Sequence, residues 1–395
     1  MHGKQATSDS KRLKVLFLPS WYPSEENPIH GIFIQEHAKA AALYDDIVVL
    51  YVHEPQLARR AVLEFSDATE HGIRTIRIRY RRSWNPLITG IRYYWNILRG
   101  FIYLIRHRFR PDVIHAHIYK AGVPAVLLGW LYKITVMITE QCSDFPLKKL
   151  TRLGQIKARF ALNHARIILP VSEDLWRSIE RYDIRNEHRV IPNIVDHHLF
   201  YPPDQEEIPL NREKQILFAG LLTPVKSVPT LLSVLHRLNR NDFQLHIIGD
   251  GSHRSEYERL TAELDLRKKV TFHGLKPKAD LAERMRQCDF LVLPSLYETF
   301  GVVLIEALAS GRPVIAPDIG GPREIVTEEV GILVVPRDEE ALAKAIHYML
   351  DHHQQYKPER LASYARERYS YPVIGQQLHQ IYLHVTVDAP EGRGA

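Results

Sequence analysis

The stretch Pro294-Ser-Leu-Tyr-Glu-Thr-Phe-Gly-Val-Val-Leu-Ile-Glu-Ala-Leu-Ala-Ser-Gly311 decides the fold. A short apolar strand over residues 290–294 runs into it, and Gly301 marks where that strand hands over to a helix. Two carboxylates stand eight residues apart, Glu298 ahead of the glycine and Glu306 inside the helix. Eight helical steps give roughly 12 Å of rise and about 80° of rotation, so a single ligand reaches both only if it is long. The free amides of Phe300, Gly301 and Val302, with the helix dipole behind them, favour an anion. A nucleotide-sugar meets both requirements: pyrophosphate over the helix start, Glu298 toward the sugar, Glu306 toward the ribose. Each acid also admits a plainer reading, as a first-turn acid and a solvated helix residue. Against the second, Glu306 has apolar neighbours on nearly every side, and a buried carboxylate needs partners.

Outward from this segment the same unit repeats: apolar strand, glycine or polar turn, amphipathic helix. That alternation predicts parallel sheets covered on both faces. In the second half, strands are expected near residues 216–220, 243–248, 270–273, 290–294, 313–317 and 331–335. In the first half they are expected near 15–19, 47–52, 73–80, 112–117, 135–139, 166–171 and 189–192. Residues 201–214 are proline-rich and charged, as a linker is. The reading is therefore α/β, with an N-terminal domain over 1–200, a linker over 201–214 and a second domain over 215–372. A final helix is expected over 373–387, and 388–395 is read as a disordered tail.

At 395 residues the chain has ample length for two cores. Cys142 and Cys288 match no metal spacing and point to a reducing compartment. With a polar start no secretory signal is expected, and no apolar run reaches the ~20 residues of a membrane span. A cytoplasmic protein is expected. The net charge of +6 is uneven: residues 1–200 hold 29 Lys and Arg against 19 Asp and Glu.

Several further residues are placed to do chemistry. In Phe218-Ala-Gly-Leu-Leu-Thr-Pro-Val-Lys-Ser227, the glycine turn at Gly220 brings Lys226 to a helix start, where an ammonium offsets charge on a departing diphosphate. Gly320 and Gly321 enter a helix beside Arg323, and their amides suit a second phosphate or the sugar. Gly31 opens a helix after the first strand and lets backbone approach a ligand. Gly249-Asp-Gly251 lacks the full dinucleotide fingerprint. His115 and His117 share one face of a strand. A His-x-His pair is also a start toward a metal site, but no third ligand stands at useful spacing.

Between Glu70 and Asp112 there is no acidic residue, and the interval holds ten arginines: Arg74, Arg77, Arg79, Arg81, Arg82, Arg92, Arg99, Arg106, Arg108 and Arg110. Trp84, Tyr93, Tyr94, Trp95, Phe101, Tyr103 and Phe109 are interleaved, many on a helix expected over about 89–108. Aromatic rings at headgroup level with arginines reaching anionic lipid would hold this stretch, 74–110, at a membrane face. A packed helix with a solvated basic side is the alternative; no nucleic-acid motif accompanies the patch.

Taken together, the order and spacing of these motifs from Val15 to about Val385 resemble the retaining glycosyltransferases of family 4, and Glu298 to Glu306 matches that family's E-x7-E motif. The resemblance implies the GT-B plan, two doubly wound Rossmann-like parallel-sheet domains facing across a cleft, with the last helix crossing back to the first domain. It implies transfer of a sugar from a nucleotide-diphosphate donor to an acceptor hydroxyl with retention and without a metal or other cofactor. It assigns the donor sugar to Glu298 and His117, the diphosphate to Lys226 and the loop at Gly31, and acceptor hydroxyls to Glu140 and Asp144. Where family members usually carry arginine or another polar residue after the glycine, this chain has Leu221, so Lys226 alone or Arg323 would complete the clamp. With the basic stretch, the implied acceptor is a glycan or lipid-linked, in surface polysaccharide or glycolipid synthesis at the inner membrane face. The rival readings are a nucleotide-sugar epimerase on the same plan and a non-catalytic membrane scaffold with a vestigial cleft.

Overall fold

A computed structural model describes residues 11–54, 63–81, 83–203 and 212–387. The expected tail, 388–395, and most of the expected linker, including 204–211, lie outside the described residues. The chain divides into two compact units. Unit 1 comprises Met1–Pro170, Trp176–Ile191 and Tyr371–Ala395, and unit 2 comprises Val171–Leu175 and Pro192–Ser370.

Unit 1 is built on β1 (Lys14–Pro19), β2 (Asp46–His53), β3 (Glu64–Glu70), β4 (Ile73–Arg79), β5 (Val113–His117), β6 (Thr135–Glu140) and β7 (Ile167–Pro170). They form one sheet in the order β3-β4-β2-β1-β5-β6-β7. Every pairing is parallel except β3 with β4. The central strands are buried almost throughout, as strands covered on both faces must be. Helices α1 (Ile32–Ala42), α2 (Pro86–Arg106), α3 (Tyr119–Tyr132), α4 (Arg152–His164) and α5 (Glu173–Glu180) connect them. α5 begins in unit 2 and enters unit 1 at Trp176.

The structure differs from the sequence reading at three places here. β3 was not foreseen, because Glu64-Phe-Ser-Asp-Ala-Thr-Glu70 is polar and exposed over most of its length. It is held by antiparallel pairing through a tight turn at His71 and Gly72, both left-handed (φ 49° and 81°), the backbone that a two-residue hairpin requires. Conversely, residues 189–192 form no strand; the chain there makes a single bridge, Ile168 to His188. The helix expected over 89–108 begins earlier, since Asn85 accepts a hydrogen bond from the Leu87 amide and Pro86 occupies the first helical position.

Unit 2 holds β8 (Lys214–Ala219), β9 (Phe243–Ile248), β10 (Val270–Gly274), β11 (Phe290–Val292), β12 (Val314–Pro317) and β13 (Gly331–Val334). All are parallel, in the order β10-β9-β8-β11-β12-β13. The connections are α6 (Val228–Arg237), α7 (Arg254–Glu263), α8 (Lys278–Gln287), α9 (Val302–Ala309) and α10 (Pro322–Ile325), followed by α11 (Glu339–His352) and α12 (Pro358–Tyr369). The last helix, α13 (Tyr371–Val387), belongs to unit 1 and packs on α1 so closely that a Cβ at Gly375 would lie 2.2 Å from the Ala40 carbonyl oxygen.

Candidate active site

In each sheet the strand order reverses direction at one place, and open α/β sheets bind ligands outside the carboxyl ends of the strands there. In unit 2 the reversal lies between β8 and β11. Lys226 follows β8 in a short 3-10 turn, Pro224–Lys226, and Glu298 follows β11. The fold brings them together: Lys226 Nζ donates to Glu298 Oε1. Ser295 Oγ donates to the same oxygen at 2.7 Å. Glu298 Oε2 has no hydrogen-bond partner among the described residues. The side chains of Lys226 and Glu298 are 21% and 11% exposed, and Ser295 is fully buried. A cation and a carboxylate fixed side by side at a switch point can neutralise a departing anion and accept from a hydroxyl.

The main chain around Glu298 is equally constrained. Its carbonyl oxygen accepts from the Gly321 amide at 3.1 Å. Gly320, left-handed at φ +64°, passes so near that a Cβ there would stand 2.1 Å from this oxygen. The glycines entering α10 are thus required by close packing on the loop after β11, and Gly301, at φ +91°, caps α9. Gly249 plays a similar part beside β8, since a Cβ on it would meet the Gly220 carbonyl oxygen at 1.9 Å. Leu221, the residue after Gly220, is half exposed.

Glu306 is buried, with Lys278 Nζ at 3.8 Å from Oε1. Lys278 sits at the start of α8 and over the ring of Phe200, 5.7 Å from its centroid. Sequence reasoning missed this lysine, although Leu275-Lys-Pro-Lys278 places it just after β10. Arg323 turns onto Asp318, donating from Nε to Oδ1 at 2.6 Å and from Nη2 to the carbonyl oxygen at 2.6 Å. Also unforeseen, Tyr297 donates to Asp174 Oδ2 at 2.9 Å, while the Glu324 carboxylate accepts from the Glu173 and Asp174 amides. These contacts fasten Val171–Leu175 to the loop that carries Glu298.

In unit 1 the reversal lies between β1 and β5, and His117 ends β5. Its ring is fully buried between Phe17 at 4.8 Å and His115 at 4.3 Å, with His37 of α1 at 5.9 Å. Burial holds its pKa well below the ordinary histidine value, and neither ring nitrogen has a hydrogen-bond partner. His115 is committed to structure: Nδ1 meets Tyr382 Oη at 2.8 Å and Nε2 meets Thr139 Oγ1 at 2.6 Å. Among the described residues no group of three His, Cys, Asp or Glu is placed to hold a metal ion.

Gly31, at φ +76°, approaches its own loop, with a Cβ there 2.5 Å from the Trp21 carbonyl oxygen. Glu140 is fully buried and accepts from three amides, Tyr119 at 2.9 Å, Gln141 at 2.9 Å and Cys142 at 2.8 Å. Both its oxygens are thereby spent on the start of α3 and its own loop. Asp144 stands half-buried in that loop.

The basic stretch is partly neutralised by the unforeseen strand. Arg74 pairs with Asp67 at 2.7 Å, Arg77 with Glu70 at 2.6 Å and Arg79 with Glu64 at 3.3 Å, all from β3. These three arginines do not face outward unpaired as the sequence suggested. Arg82 lies outside the described residues. On α2, Leu87, Ile91 and Trp95 are 76%, 68% and 59% exposed, while Ile97, Phe101 and Leu104 are buried. The two sets stand roughly 115° apart on the helical wheel, so α2 carries an apolar stripe off to one side of its core face. No described helix is long and apolar enough to cross a membrane.

Two Rossmann-like units, each on a parallel or nearly parallel sheet, give the fold of the GT-B class of transferases. Residues 202–368 match the family described as "Glycosyl transferases group 1", and residues 38–194 match "Glycosyl transferase 4-like domain". The chain belongs to the GT-B glycosyltransferases of the family 4 type. An uncharacterised glycosyltransferase of Methanocaldococcus jannaschii is 34% identical over 174 residues, 43% of this chain and 45% of its own. A glycogen synthase of Mycobacterium tuberculosis is 27% identical over 290 residues, 70% of this chain and 69% of its own. The chain thus spans about half of the archaeal relative. Among solved structures, Anabaena HepE in complex with UDP and glucose has a TM-score of 0.74 at 20% identity, covering 94% of this chain and 100% of that one.

Proposed function

We propose that this protein is a retaining, metal-independent glycosyltransferase that moves a sugar from a nucleotide-diphosphate donor to an acceptor hydroxyl. The observation that carries the reading is the convergence of Lys226 and Ser295 on Glu298 at the switch point of unit 2. In the reaction the bond from sugar C1 to the phosphate oxygen breaks and a bond from C1 to the acceptor oxygen forms on the same face. The acceptor's proton passes to the departing phosphate oxygen while the two remain close. Lys226 and the amides of Phe300, Gly301 and Val302 offset the diphosphate charge, and Glu298 braces the sugar. Glu306 holds the ribose. The two unfilled ring nitrogens of His117 support its reading as a group that orients sugar hydroxyls. UDP is the first donor nucleotide to try, by analogy with the complex of Anabaena HepE.

The acceptor proposed is a glycan or lipid-linked, in surface polysaccharide or glycolipid synthesis, with the protein peripheral to an anionic membrane through the stretch 74–110. The exposed stripe of α2 supports this.

The test is thermal stabilisation by nucleoside diphosphates and their sugars, followed by product analysis with a membrane-lipid extract as acceptor. A product retaining the donor's anomeric configuration is expected. Absence of nucleotide binding, or isomerised donor formed without acceptor, overturns the proposal.

A further inference from the structure

The helices of unit 1 carry a second exposed apolar surface besides that of α2. On α3, Leu127, Trp130 and Leu131 are 46%, 55% and 67% exposed, and on α4, Leu153 and Ile156 are 60% and 61% exposed. Spacings of three and four residues place each set on one side of its helix. Trp130 joins them, its ring meeting Phe160 edge-on at 5.5 Å and His164 at 5.1 Å, both on α4. α2 packs beside α3 through its buried Phe101, whose ring lies 4.7 Å from Tyr132 of α3, so its own exposed stripe is a separate surface. A contiguous apolar surface of this kind marks an interaction site rather than scattered solvent-exposed residues.

The charges carried by these helices are all positive, and of them Arg159 of α4 is paired with Asp183 at 2.7 Å. α2, α3 and α4 contain no Asp or Glu, and none occurs between Asp112 and Glu140 or between Asp144 and Glu173. Glu140 is fully buried. Lys133, Lys148, Lys149 and Arg152 are exposed around the α3–α4 surface. Two copies set face to face here would bring like charges together, whereas an anionic bilayer complements the cations and takes tryptophan at headgroup depth.

We propose that the α3–α4 face seats unit 1 on an anionic lipid bilayer. The inference rests on the peripheral-membrane part of the function proposed above, and it moves the centre of contact from the arginine-rich stretch to Trp130, Leu131, Leu153 and Ile156. Those side chains enter the headgroup region while the surrounding lysines draw anionic lipid.

The experiment is co-sedimentation of the full chain with phosphatidylcholine vesicles, with or without about one third phosphatidylglycerol. Binding to the anionic vesicles alone is expected, and the double variant Leu153→Glu, Ile156→Glu weakens it about tenfold or more. Leu127→Glu with Leu131→Glu, on α3, does the same and guards against misfolding of either variant. If wild type binds while both pairs bind equally well, this inference fails and the α2 reading survives. If wild type ignores anionic vesicles, the membrane reading fails with it. A dimer abolished by these variants, seen by light scattering, assigns the face to self-association and also overturns the proposal. Transfer to a soluble acceptor, unchanged in all variants, reports separately on the chemistry.

Discussion

Lys226 and Glu298 lie 72 residues apart in sequence and share a hydrogen bond across the switch point of unit 2. Neither strand order nor helix packing requires a salt link there, and the reaction proposed above gives both groups a part. Glu298→Gln, which keeps volume and removes charge, is expected to lower turnover by about 10²- to 10³-fold with little change in nucleotide affinity. Lys226→Met is expected to weaken nucleoside-diphosphate binding as well. Steady-state kinetics with a thermal-shift titration separates the two; a Glu298→Gln enzyme of normal turnover would remove that carboxylate from the chemistry.

The same loop sets a steric prediction. Gly320→Ala forces a Cβ onto the Glu298 carbonyl oxygen at a left-handed φ, and a loss of ~2–4 kcal/mol is expected. Gly90→Ala, in α2 with nothing within 4 Å of its Cβ, should stabilise by about 0.5–1 kcal/mol. Urea unfolding of both variants measures the contrast.

Glu140 predicts a pH dependence. Burial raises its pKa from 4.5 to about 7, against the pull of the three amides. The folded state therefore binds more protons than the unfolded chain between these values, so stability falls as pH rises through that window and levels off above it. Unfolding curves from about pH 5 to about pH 8 should show this decline in wild type and lack it in Glu140→Gln. Parallel profiles would refute the assignment. Glu140→Gln should also be about 2 kcal/mol less stable, because an amide NH2 would face the Tyr119 or Cys142 donor.

Two pairs on β3 and β4 should differ sharply. Arg77 and Glu70 are 13% and 27% exposed in their side chains, and Arg77 also donates to the Pro23 carbonyl. A double-mutant cycle should give a coupling of ~1–2 kcal/mol. Arg79 and Glu64 are 30% and 60% exposed, and their coupling should stay below ~0.5 kcal/mol.

Much of this was legible beforehand because buried parallel strands are written as apolar runs and switch-point loops as glycines. β8 and β11 could be placed by such runs, and Glu298 stood out beside Gly301. β3 could not, since an exposed edge strand owes its place to pairing and to the His71–Gly72 turn rather than to hydrophobicity. Without it, Arg74, Arg77 and Arg79 looked like free charge. Lys278 escaped notice because its relation to Glu306 is made by the packing of α8 on α9, which leaves no local pattern. The exposed apolar residues of α3 and α4 were hidden for a similar reason: in sequence they are indistinguishable from core.

The return of α13 to unit 1 reverses the order in which the protein can be finished. Asp45, whose carboxyl burial drives upward, receives His379 Nδ1 at 2.9 Å, and Tyr382 holds His115. Both partners leave the ribosome after all of unit 2. Unit 2 can close while the first-made lobe still waits with α1 bare and Asp45 unanswered, so a nascent chain halted at Ser370 presents a complete second lobe and an incomplete first.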